Sequence, residues 1–256
     1  MGAERAVSRC RRDTAARHGT RSPAVIGEQL PLSVQLPDAA SFDNFHAGPN
    51  AQALAALREL GEGDGSTTLI HGPRGCGKTH LLQATSRDAL SRRARAAYLP
   101  LGSFAAEDPA VLHGFETMDL VCVDDVDAPL QDRNWAQALL RLLDAVKSHG
   151  GRCLLSAALP PDRLAIARLP DLRTRLCAAA SFPLRALDDD AHAAMLKSRA
   201  QRLGLELPYE TIHWMLTHLP RDTASLLTAL ARIDRAALAA RRRPTLPFVQ
   251  QVLAGG

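Results

Sequence analysis

No stretch of the sequence reaches the roughly 18 uninterrupted apolar residues that a membrane helix requires, because Arg, Asp and Glu interrupt every helical candidate. A membrane-spanning chain is therefore not expected. The first 27 residues also lack the apolar segment of a secretory signal. Five cysteines (Cys10, Cys76, Cys122, Cys153, Cys177) are scattered, with no Cys-x-x-Cys pair and no His-rich metal spacing. That argues against a disulfide frame or a zinc site and fits a reducing cytoplasm. Cys122 and Cys153 lie in apolar strand-like runs, where a thiol serves as core filling. A strong excess of one charge is missing too. The formal net charge is +4, but the first 27 residues account for all of it. They hold Arg5, Arg9, Arg11, Arg12, Arg17 and Arg21 against Glu4 and Asp13. Residues 28–256 carry 25 basic and 25 acidic side chains. A neutral body is not the footprint of a protein that neutralises many phosphates, so direct sequence-specific DNA binding is not expected.

What is present is apolar patterning. With 46% hydrophobic residues over 256 positions, the chain can bury one sizeable core and a small satellite. The Arg, Ala, Ser and Gly mixture of residues 1–27 predicts a disordered basic extension, and a start codon placed too far upstream would also account for it. Residues 28–37 form a linker that carries Gln29-Leu30-Pro31-Leu32 and ends near the Pro37-Asp38 turn. Strands are expected over 66–71, 96–101, 119–124 and 152–157. Helices are expected over 51–60, from residue 79 to about 93, over 134–148, and briefly over 108–115. Each strand is a continuous apolar run, which indicates a parallel sheet covered on both faces. After Leu187 only helices follow: one capped by Asp188-Asp189-Asp190 to about 203, then 209–219, 220–241, and a last one after Pro247. The expected fold is α/β, with a base over 38–186 and a small all-helical domain over 187–256.

One segment carries specific chemistry. Gly72, Pro73, Arg74, Gly75, Cys76, Gly77, Lys78 and Thr79 spell G-x-x-x-x-G-K-T, with His80 next in line. Chance would produce this in about one chain in a hundred of this length, and here it lies between a predicted strand and a predicted helix. The glycines let backbone N–H groups wrap phosphates, and the helix N-terminus adds a positive dipole. Lys78 would reach the outer phosphates and the Thr79 hydroxyl would bind Mg2+. Some 45 residues on, Leu120-Val121-Cys122-Val123 leads into Asp124-Asp125. A buried strand of this kind puts Asp124 at its carboxyl end, toward the magnesium, and leaves Asp125 to orient an attacking water. Arg175, in Leu169-Pro170-Asp171-Leu172-Arg173-Thr174-Arg175-Leu176, is either a surface arginine or a finger that stabilises charge on a neighbour's nucleotide. Arg221, after Pro220, is either a solvated first-turn arginine or a sensor that brings the helical domain onto the phosphates.

Taken together, Phe42-Asp43-Asn44-Phe45 with Gly48-Pro49, the phosphate loop, Asp124-Asp125, the LPDLRTRL segment and the Arg221 helix resemble the DnaA-like AAA+ family. The resemblance covers about residues 38–254 and implies a P-loop AAA+ base with a helical lid. Two features resemble the regulatory inactivators of that family more than its initiators. The sequence ends after the lid, where initiators continue into a helix-turn-helix domain. Gln29, Leu30 and Leu32 resemble the short peptide by which replication proteins dock on the sliding clamp, and Leu246-Pro247-Phe248-Val249 adds to the likeness. The resemblance implies bound ADP or ATP with Mg2+ at the phosphate loop, and Arg221 as sensor 2. It also implies Arg175 as an arginine finger acting in trans on the initiator DnaA. The partners implied are DnaA and the DNA-loaded clamp, in the cytoplasm, with self-association open. Where initiators place Thr-Ser-Asp after the fourth strand, this chain has Ser156-Ala157-Ala158, which implies weak or no intrinsic ATPase. The other function class that the same features allow is a helicase loader or accessory initiation factor, which would need a helicase-binding segment in place of the clamp peptide.

Overall fold

Apolar side chains on both sides of each central strand force a sheet with helices on either face. The computed structural model, which describes residues 40–60, 65–104 and 107–254, has this form. Gln29, Leu30 and Leu32, with the rest of residues 1–39, lie outside the described residues. The strands are β1 (Thr67–His71), β2 (Ala96–Pro100), β3 (Leu120–Asp124), β4 (Arg152–Ala157) and β5 (Ala180–Pro183). All pair in parallel, in the order β2-β3-β4-β1-β5. Period-2 alternation sends Ile70, Cys122 and Leu154 to one face and Leu69, Val123 and Leu155 to the other. The first face packs under α1 (Ala51–Glu59) and α2 (Lys78–Ser91) through Leu57, Leu81 and Leu82. The short α3 (Leu101–Phe104) follows β2. The second face packs under α4 (Arg133–Ser148), which lays Trp135, Leu139, Leu142, Leu143 and Val146 on the sheet, and under α5 (Pro170–Ala178). Asp132 caps α4 by accepting from the Asn134 N–H at 2.6 Å.

Beyond β5 the chain is helical: α6 (Asp189–Arg202), α7 (Tyr209–His218), α8 (Thr223–Ala240) and α9 (Leu246–Ala254). Their inward faces form a core of their own around Leu196, Met215, Leu226, Leu230, Ile233 and Val249. Asp188 and Asp222 cap α6 and α8 through the N–H groups of Ala191 (2.8 Å) and Ser225 (2.9 Å).

The expected fold class is the one observed, but some expected elements differ. The segment 220–241 is helical only from Thr223, because the Asp222 carboxylate is the stronger N-cap and starts the helix there. Arg221 therefore precedes α8 and does not open it. Strand β2 stops at Pro100, which has no N–H for the ladder, and Leu101 turns into α3. The helix expected over 108–115 is only a 3-10 turn, Pro109–Leu112. Strand β5 has no counterpart among the sequence expectations. It is a short, mostly exposed edge strand whose order comes from pairing with β1, Thr68 opposite Ala180 through His71 opposite Pro183.

One buried side chain ties the start of the base to the exit toward the lid. Asn50, 2% exposed, donates from Nδ2 to the Arg185 carbonyl at 3.0 Å and accepts the Arg185 N–H on Oδ1 at 2.8 Å. An amide is the one short side chain that can satisfy both backbone groups of another residue. Asn50→Ala is expected to lower stability by about 1–3 kcal/mol, the cost of leaving buried polar groups unpaired. Urea denaturation should show a lower midpoint at an unchanged slope.

Candidate nucleotide-binding site

The phosphate loop runs from the end of β1 into the first turn of α2, so the backbone N–H groups that no helical carbonyl can accept face one concavity. Two glycines make that curvature possible. Gly77 has φ +98°, and a Cβ there would stand 2.6 Å from the Phe45 ring. At Gly72 a Cβ would meet the Leu184 carbonyl oxygen at 2.3 Å and the Cys76 Sγ at 3.1 Å. A side chain fits at neither position. Lys78 is 8% exposed, and its ammonium donates to the carbonyls of Gly72 (2.8 Å) and Pro73 (3.2 Å), which holds its charge inside the loop. Such a cradle with a buried cation suits a phosphate. Cys76 is buried, and burial, the leading effect, pushes its thiol up despite the Lys78 charge. It therefore contributes backbone and packing rather than a thiolate. Arg74 and Thr79 are exposed.

The His80 side chain is engaged elsewhere than its place in the motif suggests. Its ring packs 5.5 Å from the Phe45 ring and its Nε2 lies 3.0 Å from the Ser41 carbonyl, which accepts from it. Burial lowers its pKa first, against the bond to Ser41. His80 is thus the seat for the Phe42–Asn44 turn and Phe45, and only its backbone faces the loop.

The acid pair sits at the end of β3. Cys122 packs in the α2-side core, so Asp124, two residues on, ends the strand on the same face as the phosphate loop and its helix. Asp124 is 3% exposed. Its Oδ2 accepts the Tyr98 hydroxyl at 2.8 Å, and its Oδ1 accepts the Ser156 hydroxyl in a short bond. Ser156 Oγ in turn accepts the Asp125 N–H at 2.9 Å, and the Val126 N–H donates to the Ser156 carbonyl at 2.9 Å. Asp127 accepts the Ala158 N–H at 2.9 Å. The ends of β3 and β4 are thereby laced together. Asp125 has φ +54°. Burial and then the Asp124 charge raise its carboxyl above the ordinary range, opposed by Lys78 and, more weakly, Arg74. Burial and then Asp124 also hold the Tyr98 phenol protonated well beyond its ordinary range.

Magnesium bound with a nucleotide supplies neutralisation of phosphate charge. Thr79 and Asp124 are the residues that would hold it. The Asp124 carboxylate keeps a free lone pair on each oxygen, so it fits a hydrated cation, though two hydroxyl donors already share its charge.

The two arginines assigned to phosphates lie apart from this cluster. The Arg175 Nη2 is 2.6 Å from Asp144 Oδ1 on α4, with both side chains about half exposed. The Arg221 Nη1 is 3.2 Å from Asp189 Oδ2, also exposed. Its neighbour Asp222 does reach the phosphate loop: a Cβ on Gly75 would be 3.5 Å from the Asp222 Cβ. Arg173 is not turned idly outward. Its guanidinium donates to the carbonyls of Asp162 (3.1 Å) and Leu164 (3.0 Å) and fixes the segment before α5. Tyr98 had no role in the sequence pattern. The signal available was register, since Tyr98 pairs with Cys122 and so shares the face of Asp124 in a parallel sheet.

Lys78→Ala removes the only buried ammonium of the loop. It is expected to lower ADP affinity at least about tenfold, the scale of one hydrogen bond to a charged group. Isothermal titration that gave equal affinities would overturn the assignment of the loop.

Comparison with known proteins agrees with this fold. An uncharacterized protein of Haemophilus influenzae is 35% identical over 235 residues, which span 89% of this chain and 99% of that one. Among solved structures, domain III of the Thermotoga maritima replication initiation protein DnaA superimposes with a TM-score of 0.70 at 19% identity, covering 85% of this chain and 97% of that one. AMPPCP-bound DnaA from Aquifex aeolicus gives 0.66 at 22% identity, covering 77% of this chain and 65% of that one. The chain thus spans just under two thirds of that initiator's length, and at these identities the structures speak for the fold alone. The family described as the bacterial DnaA ATPase domain matches residues 36–180, and the family described as the Hda lid domain matches residues 188–253. A DnaA-type ATPase base followed by an Hda-type lid accounts for nearly all the described residues, and the chain belongs to the Hda/DnaA-like AAA+ family.

Proposed function

We propose that this DnaA-related replication regulator docks on an ATP-bound DnaA initiator and supplies Arg175 to the initiator's nucleotide. The stimulated hydrolysis leaves DnaA bound to ADP and prevents a second round of initiation. The DNA-loaded sliding clamp is the platform, held through Gln29, Leu30 and Leu32, and the setting is the cytoplasm. The chain's own nucleotide, ADP or ATP with Mg2+, is structural. It seats between the phosphate loop and the lid and sets the angle between them, with Arg221 as the lid's contact to phosphate.

The observation that carries this reading is the state of Arg175. It projects from α5 with 47% of its side chain exposed, and its ion-pair partner is a carboxylate that is itself half exposed. A pair in that setting is worth about 0–1 kcal/mol, so a polyphosphate can take the guanidinium at little cost. Arg173, two residues earlier, is locked to backbone carbonyls and is not available in the same way.

Arg175→Ala is expected to leave this chain's ADP binding and stability nearly unchanged. Stimulated hydrolysis by DnaA should fall by about a thousandfold or more, as for other trans-acting arginines. Single-turnover hydrolysis of ATP pre-bound to DnaA, with clamp on DNA and excess regulator, measures it. Undiminished stimulation by Arg175→Ala sinks the trans-finger reading. Arg173→Ala is unsuitable as a silent control, because it frees the segment before α5.

For the clamp, the pair Gln29→Ala and Leu32→Ala removes a polar and an apolar anchor of a short extended peptide, whose affinity rests on few contacts. Clamp binding should be lost while ADP binding stays. Co-elution of the double variant with the clamp would count the motif as coincidence.

A further inference from the structure

Half-buried Tyr98 forms a triangle with the buried Asp124 and Ser156. Asp124 is the carboxylate nearest in role to a magnesium ligand, yet each of its oxygens already accepts a hydroxyl of this chain. Tyr98 reaches it from β2, where a phenylalanine would fill the same space, so packing alone does not explain the hydroxyl. Its ring lies in the α2-side core beside Cys122, and its oxygen emerges at the carboxyl end of β3. Ser156 has one proton to give, and it goes to Asp124. The carboxylate is therefore held in one rotamer, with part of the negative charge on both oxygens taken up by neutral donors.

We propose that Tyr98 is a positioning residue that restrains Asp124 from acting as a magnesium ligand, so that this chain holds its nucleotide with little dependence on magnesium. The proposal rests on the nucleotide-site reading of the phosphate loop and extends it. A cation that approaches Asp124 at Oδ2 must share that oxygen with the Tyr98 hydroxyl or displace it, and at Oδ1 it meets the Ser156 hydroxyl in the same way. The phosphates are left to the loop N–H groups and to the Lys78 ammonium, which the loop already holds in place. Nucleotide retention then survives loss of the metal.

Isothermal titration of ADP into the full chain and into Tyr98→Phe, each with excess Mg2+ and with EDTA, tests this. The parent is expected to bind ADP within about threefold under the two conditions. Tyr98→Phe is expected to bind like the parent in EDTA and about tenfold tighter with Mg2+, the worth of one hydrogen bond to a charged group no longer in competition. An equal Mg2+-to-EDTA ratio in the two proteins overturns the proposal. So does an equal loss under both conditions, which is what a purely structural Tyr98 predicts. A parent that binds no ADP at all overturns the nucleotide-site reading itself, which is a separate result.

If Tyr98→Phe does not fold, a spectroscopic measurement on the intact hydroxyl decides. The chain has two tyrosines, and Tyr209 is 80% exposed, so Tyr209→Phe leaves Tyr98 as the single reporter. With ADP bound, the ultraviolet resonance Raman tyrosine doublet should be the same in Mg2+ and in EDTA, because the hydroxyl keeps its place on Asp124. A weaker phenol donor bond in Mg2+ means that the cation takes the carboxylate from Tyr98, and the proposal fails.

Discussion

The backbone at Gly72 passes so close to the Leu184 carbonyl that any Cβ would lie 2.3 Å from its oxygen, and much of the molecule is arranged around that crossing. The Gly72 N–H donates to the Ala157 carbonyl at 3.2 Å, and the Leu184 N–H donates to the His71 carbonyl at 2.6 Å. The end of β1 is thus gripped by β4 on one side and by the end of β5 on the other. One residue past the crossing, Arg185 is clasped by Asn50, and the lid helices begin soon after. Where the chain enters the phosphate loop, it is therefore already committed to the position of the lid linker. Asp222, ahead of α8, closes the circuit against Gly75. The loop and the lid linker thus share the same few backbone atoms.

Charge is distributed by burial in a way that separates fixed groups from movable ones. Asp124 is buried and is satisfied by neutral hydroxyls, and Lys78 is buried and satisfied by carbonyls. Removing either from its partners would leave a desolvated charge, which is costly. Arg175 and Arg221 sit at the other extreme. Each rests on a carboxylate with both members roughly half exposed or more, where solvent screens the attraction and the pair is cheap to exchange. The protein's stationary charges line the nucleotide loop. Arg175 on α5 and Arg221 ahead of α8 are among the exchangeable charges, and Arg58–Asp43 and Arg95–Asp119 are exposed pairs of the same kind.

How much of this the sequence disclosed follows from how local each feature is. The phosphate loop was legible because its chemistry needs adjacent residues in fixed order. Strands β1 to β4 were legible because burial on both faces leaves unbroken apolar runs. Strand β5 was not, since Ala180, Ser181, Phe182 and Pro183 carry no periodic signal and take their order from β1. The start of α8 was misplaced because Pro220 and Arg221 look like a first turn, whereas Asp222 supplies the cap. His80 reads as part of the motif, but its ring belongs to the Phe45 contact, a partner 35 positions away. The hydroxyls of Tyr98 and Ser156 meet Asp124 across separations of 26 and 32 residues. No window of sequence displays such a triangle. It becomes visible only once the register of β2, β3 and β4 is known.

That triangle bears on the proposal that this chain acts on another protein's nucleotide rather than turning over its own. The turn after β4 is the natural place for a polar group aimed at a terminal phosphate. Here Ser156 gives its one hydroxyl proton to Asp124 and uses its oxygen for the Asp125 N–H, and the Ala158 N–H goes to Asp127. The turn's donors are directed at β3, not outward, and Ala157 and Ala158 have no side-chain polar groups to add. Each of these features favours a nucleotide that is held and not consumed. The guanidinium that the proposed function would place in the initiator's site is Arg175 on α5, paired with a half-exposed carboxylate. On the proposed function, a fixed nucleotide loop and an exchangeable arginine would be complementary, the first keeping the docking surface constant while the second acts on the partner's nucleotide.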